Sequence, residues 1–138
     1  MATTQEVEKR PTVAVVDDDD RWLAFTAAQL RRDGWETVVY AAGEAVLTDY
    51  NGQFHVAVVD QKMPGLTGLD TVARLRDLGF AGPVVLMSAW LEPETLAEAA
   101  RLGVMAASKV DQVSFFRVMD VLLGQTLHRR QPASAKPS

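Results

Sequence analysis

Apolar runs rich in β-branched residues recur five times along the chain, at 12–16 (TVAVV), 35–40 (WETVVY), 54–59 (FHVAVV), 83–87 (PVVLM) and 104–107 (VMAA). A run without polar alternation is buried on both faces, as the central strands of a parallel sheet are. The stretches between the runs follow helical spacing instead. Trp22, Leu23, Thr26, Ala27 and Leu30 share one face, charges crowd the last turn, and Gly34 terminates the helix. A short helix is expected over 43–51, and Leu69, Val72, Ala73 and Leu75 predict another over 66–78, closed by Gly79 and Gly82. Pro93 takes a first-turn position, beside Glu92 and Glu94, in a helix that ends at Gly103. Asp111 caps a long amphipathic helix bearing Phe115, Val118, Met119, Leu122 and Leu123. Five strands alternating with five helices predict an α/β fold with parallel pairing and right-handed crossovers. Every strand then ends on one edge of the sheet, where ligands bind in such folds.

Bulk properties narrow the functional classes. At 138 residues and 15.1 kDa the chain fits one domain, and 48% hydrophobic with 23% charged residues reads as globular. A formal charge of -4 argues against a nucleic-acid footprint, which needs clustered Lys and Arg, and Arg129-Arg130 is too short a basic run to overturn that. The absence of cysteine excludes a disulfide framework, a thiolate metal site and a cysteine nucleophile. The start, MATTQEVEKRP, has no apolar h-region and no stretch reaches membrane-spanning length, so a soluble cytoplasmic protein is expected. Residues 1–10 read as a mobile N-terminal segment, 11–130 as the domain, and the Pro-, Ala- and Ser-rich 131–138 as a flexible tail or linker.

The chemistry-bearing residues fall at the strand ends. The first run empties into Asp17-Asp18-Asp19-Asp20. Adjacent acids repel one another and favour a cation between them, while an acid at a helix start caps it and complements its dipole. Asp17 and Asp18 are read as the site pair, and Asp19 and Asp20 as helix-start residues. The third run breaks off at Asp60, ahead of the turn signal Pro64-Gly65. Taken alone, Asp60 is weak evidence, since more such strand-end acids cap the next helix than do chemistry. It gains company from Ser88 after the fourth strand and Lys109 after the fifth. Three carboxylates, a hydroxyl and an ammonium on one rim suit phosphoryl transfer. Hard oxygen ligands hold octahedral Mg²⁺, Asp60 can act as nucleophile, Lys109 can neutralise a phosphoryl oxygen, and Ser88 can donate a hydrogen bond to another. Catalysis would come mainly from position and charge stabilisation.

These residues, VAVVDDDD with Asp17 and Asp18, Asp60 followed by Met63-Pro64-Gly65, Ser88-Ala89, and Lys109, resemble the receiver domains of two-component response regulators. The resemblance implies a flavodoxin-like three-layer (βα)5 sandwich with strand order 2-1-3-4-5. It implies a histidine kinase or phosphotransfer protein as phosphoryl donor, a requirement for Mg²⁺, self-phosphorylation and self-dephosphorylation at Asp60, and an unknown downstream partner or output module. The sequence departs from the family in two places. Val110 follows Lys109 where proline on a cis bond is usual, and a cis bond to a non-proline residue costs about 2.5 to 4 kcal/mol. Ala106 stands where the family carries a Tyr or Phe that moves inward on switching, with Met105 near the same place.

Other residues have bland and functional readings side by side. Lys62 is a solvated loop charge or a group approaching the phosphoryl site. Trp90 is a local packing residue, or an exposed ring that shields an aspartyl phosphate or meets a partner. Met87, Met105 and Met119 read as core filler, and His55 and His128 lie away from the acidic rim. A surplus of apolar residues on the last two helices would give a homodimer or partner surface. A pseudo-receiver that binds proteins without cycling phosphate is the competing class. A flavin site is disfavoured because the four acids would repel a flavin phosphate, and a two-carboxylate phosphatase because Gln61-Lys62 supply no second acid.

Overall fold

The structure, a computed structural model, describes residues 10–129. The segment 1–10, apart from Arg10, and the tail 131–138 therefore lie outside the described residues. Strands β1 (Thr12–Val16), β2 (Glu36–Tyr40), β3 (Val56–Asp60), β4 (Val84–Ser88) and β5 (Met105–Ser108) alternate with helices α1 (Asp20–Asp33), α2 (Gly43–Asp49), α3 (Gly68–Asp77), α4 (Pro93–Arg101) and α5 (Gln112–Arg129). All pairings are parallel, in the order β2-β1-β3-β4-β5. This is the flavodoxin-like arrangement that the resemblance to receiver domains implies, and the parallel pairing is the one the alternating runs predict.

The strand side chains divide by parity. Val13, Val15, Val56, Val58, Val85 and Met87 pack under α1 and α5 with Leu23, Leu30, Phe115, Met119 and Leu122. Ala14, Val16, Ala57, Val59, Val84 and Leu86 face the other way, toward Val46, Val72, Leu75 and Ala99 of α2, α3 and α4. Period-two alternation thus sends consecutive residues into two separate cores, which is why both faces must be apolar.

Several boundaries move from their expected places. Trp35, expected to open the second strand, lies before β2 and is fully buried, its amide donating to the Leu30 carbonyl just past the left-handed Gly34. The second helix stops at Asp49 because Tyr50 is extended, and α3 starts at Gly68 because Thr67 is its cap. Strands three, four and five each extend one residue further, taking in Asp60, Ser88 and Ser108. Met87 and Met119 are core residues as expected, but Met105 is 39% exposed because β5 is an edge strand with no neighbour beyond it.

Candidate functional site

The four consecutive acids are sorted by the way β1 turns into α1. Asp17 is buried, and its Oδ1 accepts the Asp19 amide at 2.9 Å. Asp19 is the N-cap of α1, its Oδ1 accepting the amides of Arg21 (3.0 Å) and Trp22 (3.2 Å). Asp20 opens the helix, where its charge complements the dipole. Asp18 is left exposed, with a carboxylate that shares the mouth of the site. Asp19 and Asp20 are thus the helix-start residues that the sequence suggested.

Asp60 reaches the same place from β3. It is buried, and the chain beyond it is pinned on both sides. The Gln61 amide donates to the Met87 carbonyl of β4 at 2.8 Å, while the Gln61 carbonyl and Oε1 accept the amides of Gly68 and Leu69 at the start of α3. Lys109 follows β5, and its amide donates to the Ser88 carbonyl at 3.0 Å, which ties the ends of β4 and β5 together. Its ammonium lies 2.6 Å from Asp17 Oδ2 and 3.3 Å from Asp60 Oδ1. Asp17 Oδ2 accepts from no other described group. No peptide bond among the described residues is cis, so Lys109 is joined to Val110 through a trans bond.

Burial raises the pKa of Asp60 to about 6, the neighbouring Asp17 adds to the rise, and Lys109 opposes it. Burial likewise raises Asp17, against hydrogen bonding from Lys109 and from the Asp19 amide. For Lys109 burial works against the charged form, but Asp17 and Asp60 outweigh it and hold the ammonium's pKa above its ordinary value. The site is therefore two buried carboxylates sharing one cation, an arrangement with one negative charge to spare.

Carboxylate oxygens of Asp17, Asp18 and Asp60 lie within 4.8 Å of one another. An all-oxygen set of this size, one side open to water, fits a hard divalent ion that keeps several waters. The donor chemistry fits Mg²⁺, with Asp17, Asp18 and Asp60 as the residues that would hold it.

Ser88, at the end of β4, is buried and lines the same cleft. Its hydroxyl donates to the Trp90 carbonyl at 2.6 Å and accepts the Trp90 amide at 3.2 Å. Lys62 and Trp90 flank the cleft; Lys62 is exposed, and the Trp90 side is 73% exposed rather than packed into the domain. Ala106 sits on β5 opposite Leu86, half-buried, outside the cleft lining. His55 lies at the opposite end of the sheet, where its Nδ1 accepts the Thr12 amide.

Two further residues, Gln61 and Gly68, shape the site. Gln61 anchors α3 through its side chain. Gly68 packs so closely that a Cβ there would lie 2.5 Å from the Asp60 carbonyl oxygen and 2.8 Å from Leu86 Cδ1. A glycine at the start of a helix, eight residues after the acid, is the one sequence cue to that contact.

Fold and site together define a flavodoxin-like sandwich with an acidic, lysine-bridged centre at the carboxyl edge of its sheet. Residues 13–107 match the family described as the response regulator receiver domain. The chain belongs to that family, the receiver domains of two-component signalling, whose members interact with histidine kinases or phosphotransfer proteins and with output domains. It is similar to the transcriptional regulatory protein ZraR of Salmonella typhimurium, 26% identical over 91% of this chain and 29% of that protein. The Escherichia coli ZraR is 30% identical over 67% of this chain and 21% of its own length. This chain thus spans about three-tenths or less of these curated relatives. Among solved structures, the Francisella response regulator 1452 receiver domain superposes with a TM-score of 0.71 at 26% identity, covering 84% of this chain and 98% of that one. The Vibrio cholerae chemotaxis protein CheY4 shares the fold with a TM-score of 0.68 at 23% identity, covering 87% and 98%. No helix among the described residues is long and apolar enough to cross a membrane.

Proposed function

We propose that the domain, residues 11–130, accepts a phosphoryl group on Asp60 and thereby switches a downstream partner in the cytoplasm. The observation that carries this reading is the single ammonium of Lys109 bridging Asp17 and Asp60 while Asp18 completes a three-carboxylate cluster. A carboxylate oxygen of Asp60 attacks phosphorus, the bond from phosphorus to the donor's leaving atom breaks, and an acyl phosphate remains. The donor is a histidine kinase or phosphotransfer protein, and the leaving atom is then an imidazole nitrogen. Hydrolysis reverses the state: water attacks phosphorus, the acyl phosphate bond breaks, and Asp60 and inorganic phosphate are released. Mg²⁺ held by Asp17, Asp18 and Asp60 would offset the charge that otherwise keeps a phosphoanion from the acids.

Lys109 neutralises a phosphoryl oxygen from the strand-five side. Ser88 spends its hydroxyl hydrogen on the Trp90 carbonyl, and transferring that hydrogen bond to a phosphoryl oxygen releases the loop after β4. The readout is then a population shift in the loops after β3 and β4 and in the face built from α4 and α5. Exposed Leu96, Met105 and Val113 give that face an apolar character suited to a partner or to a second copy of the chain. Ala106 puts no ring into this switch, so the loop carries it.

Mass spectrometry after incubation with acetyl phosphate and Mg²⁺ tests the assignment. One phosphoryl adduct on the wild type and none on Asp60→Asn is the expected result. Unlabelled wild type would leave a pseudo-receiver, and equal labelling of both would move the acceptor elsewhere.

A further inference from the structure

Beyond the acids, the Lys109 ammonium has a third neighbour. Its Nζ lies 5.4 Å from the centroid of the Trp22 ring, within the range of a cation–π contact. Trp22 comes from the first turn of α1, three residues after the cap at Asp19, and is half-buried. The indole is held by an aromatic circuit that spans two helices. Trp22 meets Phe25 and Phe115 at 6.1 and 6.3 Å, Phe115 meets Phe116 at 4.9 Å, and Phe116 closes on Phe25 at 6.1 Å. Phe115 is fully buried, which fixes the circuit to the core.

The lysine needs such a support. Its side chain is 21% exposed, and the backbone after it runs through a trans bond into the exposed Val110. Long ammonium side chains at a rim lose rotamer entropy when held in one pose. The two carboxylates that attract Lys109 are the same groups that would bind a divalent cation, so their pull on the ammonium is shared. The indole face is the one neighbour not shared in this way.

We infer that Trp22 is a positioning residue that holds the Lys109 ammonium against its ring and aims it at Asp60. The kinetic part of this inference rests on Asp60 being the phosphoryl acceptor; the placement itself does not. Nothing in the chemistry of transfer calls on Trp22 directly, so it acts only through Lys109.

Two measurements on the full chain test it. In NMR spectra without metal, the ε-methylene protons of Lys109 are expected upfield of ordinary lysine values in the wild type, less so in Trp22→Phe, and at ordinary values in Trp22→Leu. Unchanged amide shifts in the sheet would show that each variant folds. An identical Lys109 shift in wild type and Trp22→Leu overturns the placement. With acetyl phosphate and Mg²⁺, Trp22→Leu is expected to lower the saturated phosphorylation rate about twofold to thirtyfold, the span of a cation–π contact, with Trp22→Phe between. In a Lys109→Met background the same Trp22→Leu change is expected to cost nothing further. A loss of equal size there would show that the indole acts by another route and overturns the inference. Absence of label from the wild type would sink the acceptor reading alone, and the NMR shift would still decide the contact.

Discussion

Asp60 is held in a buried site that shifts its titration, and the sign of that shift is testable. Its pKa in the fold, about 6, lies above the ordinary 3.8. Folding therefore disfavours the ionised form: stability from this group is fully present below pH 3.8 and is lost as pH rises through 6. The penalty at neutral pH is on the order of 2 to 3 kcal/mol from the shift alone. Lys109, raised above 10.5, stays charged throughout that window and contributes a constant. In metal-free buffer Asp60→Asn is thus expected to melt several degrees above the wild type at pH 7.5, and the gap should close near pH 4; a pH-independent gap would contradict the burial account. Trp90 offers a second residue-scale outcome. Its exposed ring flanks the cleft, so Trp90→Ala should shorten the half-life of label on Asp60, and equal half-lives would exclude shielding. Asp17 and Asp60 were legible as candidates because each ends an unbroken apolar run, and Lys109 because it stands one residue beyond another. Trp22 was legible only as a core residue, since its contact with Lys109 joins α1 to the far end of β5 and leaves no local trace.

At the scale of elements, the junction between β3 and α3 sets the geometry of the acid. Thr67 and Asp70 form a reciprocal capping box, the Thr67 hydroxyl accepting the Asp70 amide at 3.1 Å and the Asp70 carboxylate accepting the Thr67 amide at 3.3 Å. Thr67→Ala is expected to cost about 0.5 to 2 kcal/mol, read as a lower melting temperature with phosphorylation largely retained. Gly68→Ala is a different experiment, because the new methyl would meet the Asp60 backbone rather than a flexible side chain. We expect it to slow labelling of Asp60 by more than its stability loss, about 1 to 3 kcal/mol, accounts for. Labelling at the wild-type rate would mean that the loop yields without moving the acid. Element identity was readable from the runs because both faces of β1, β3 and β4 are buried. Element ends were not, because they are set by partners distant in sequence. Asp60 joins β3 through its register with Met87, and Ser88 joins β4 opposite Ser108. The capping box is an exception, since Thr67 followed three residues on by Asp70 is a helix-start signature in the sequence itself, one that the apolar periodicity beginning at Leu66 obscures.

For the molecule as a whole, the sheet concentrates negative charge at one edge and leaves the opposite edge to His55 and the loop contacts around it. The carboxylates come from β1 and β3 and the ammonium from the end of β5, so anything that binds the cluster couples three strands at once. A divalent ion bound only by the folded protein must then raise its stability, by about 2.7 kcal/mol at a hundredfold excess over the dissociation constant. Mg²⁺ is therefore expected to raise the melting temperature of the wild type at pH 8, and chelation should reverse the rise. The ion competes with protons for Asp60, which weakens its binding, so the same Mg²⁺ concentration should give a smaller rise at pH 5, below the value of about 6 that burial imposes. Asp17→Asn should shrink the rise at both pH values, since it removes a buried ligand while leaving Lys109 to Asp60. NaCl at matched ionic strength separates binding from screening, because screening acts on the exposed Asp18 but little on the buried pair. A melting temperature that answers to NaCl and not to Mg²⁺ at pH 8 would mean that Lys109 alone balances the cluster, and that the carboxylates are held together without a metal.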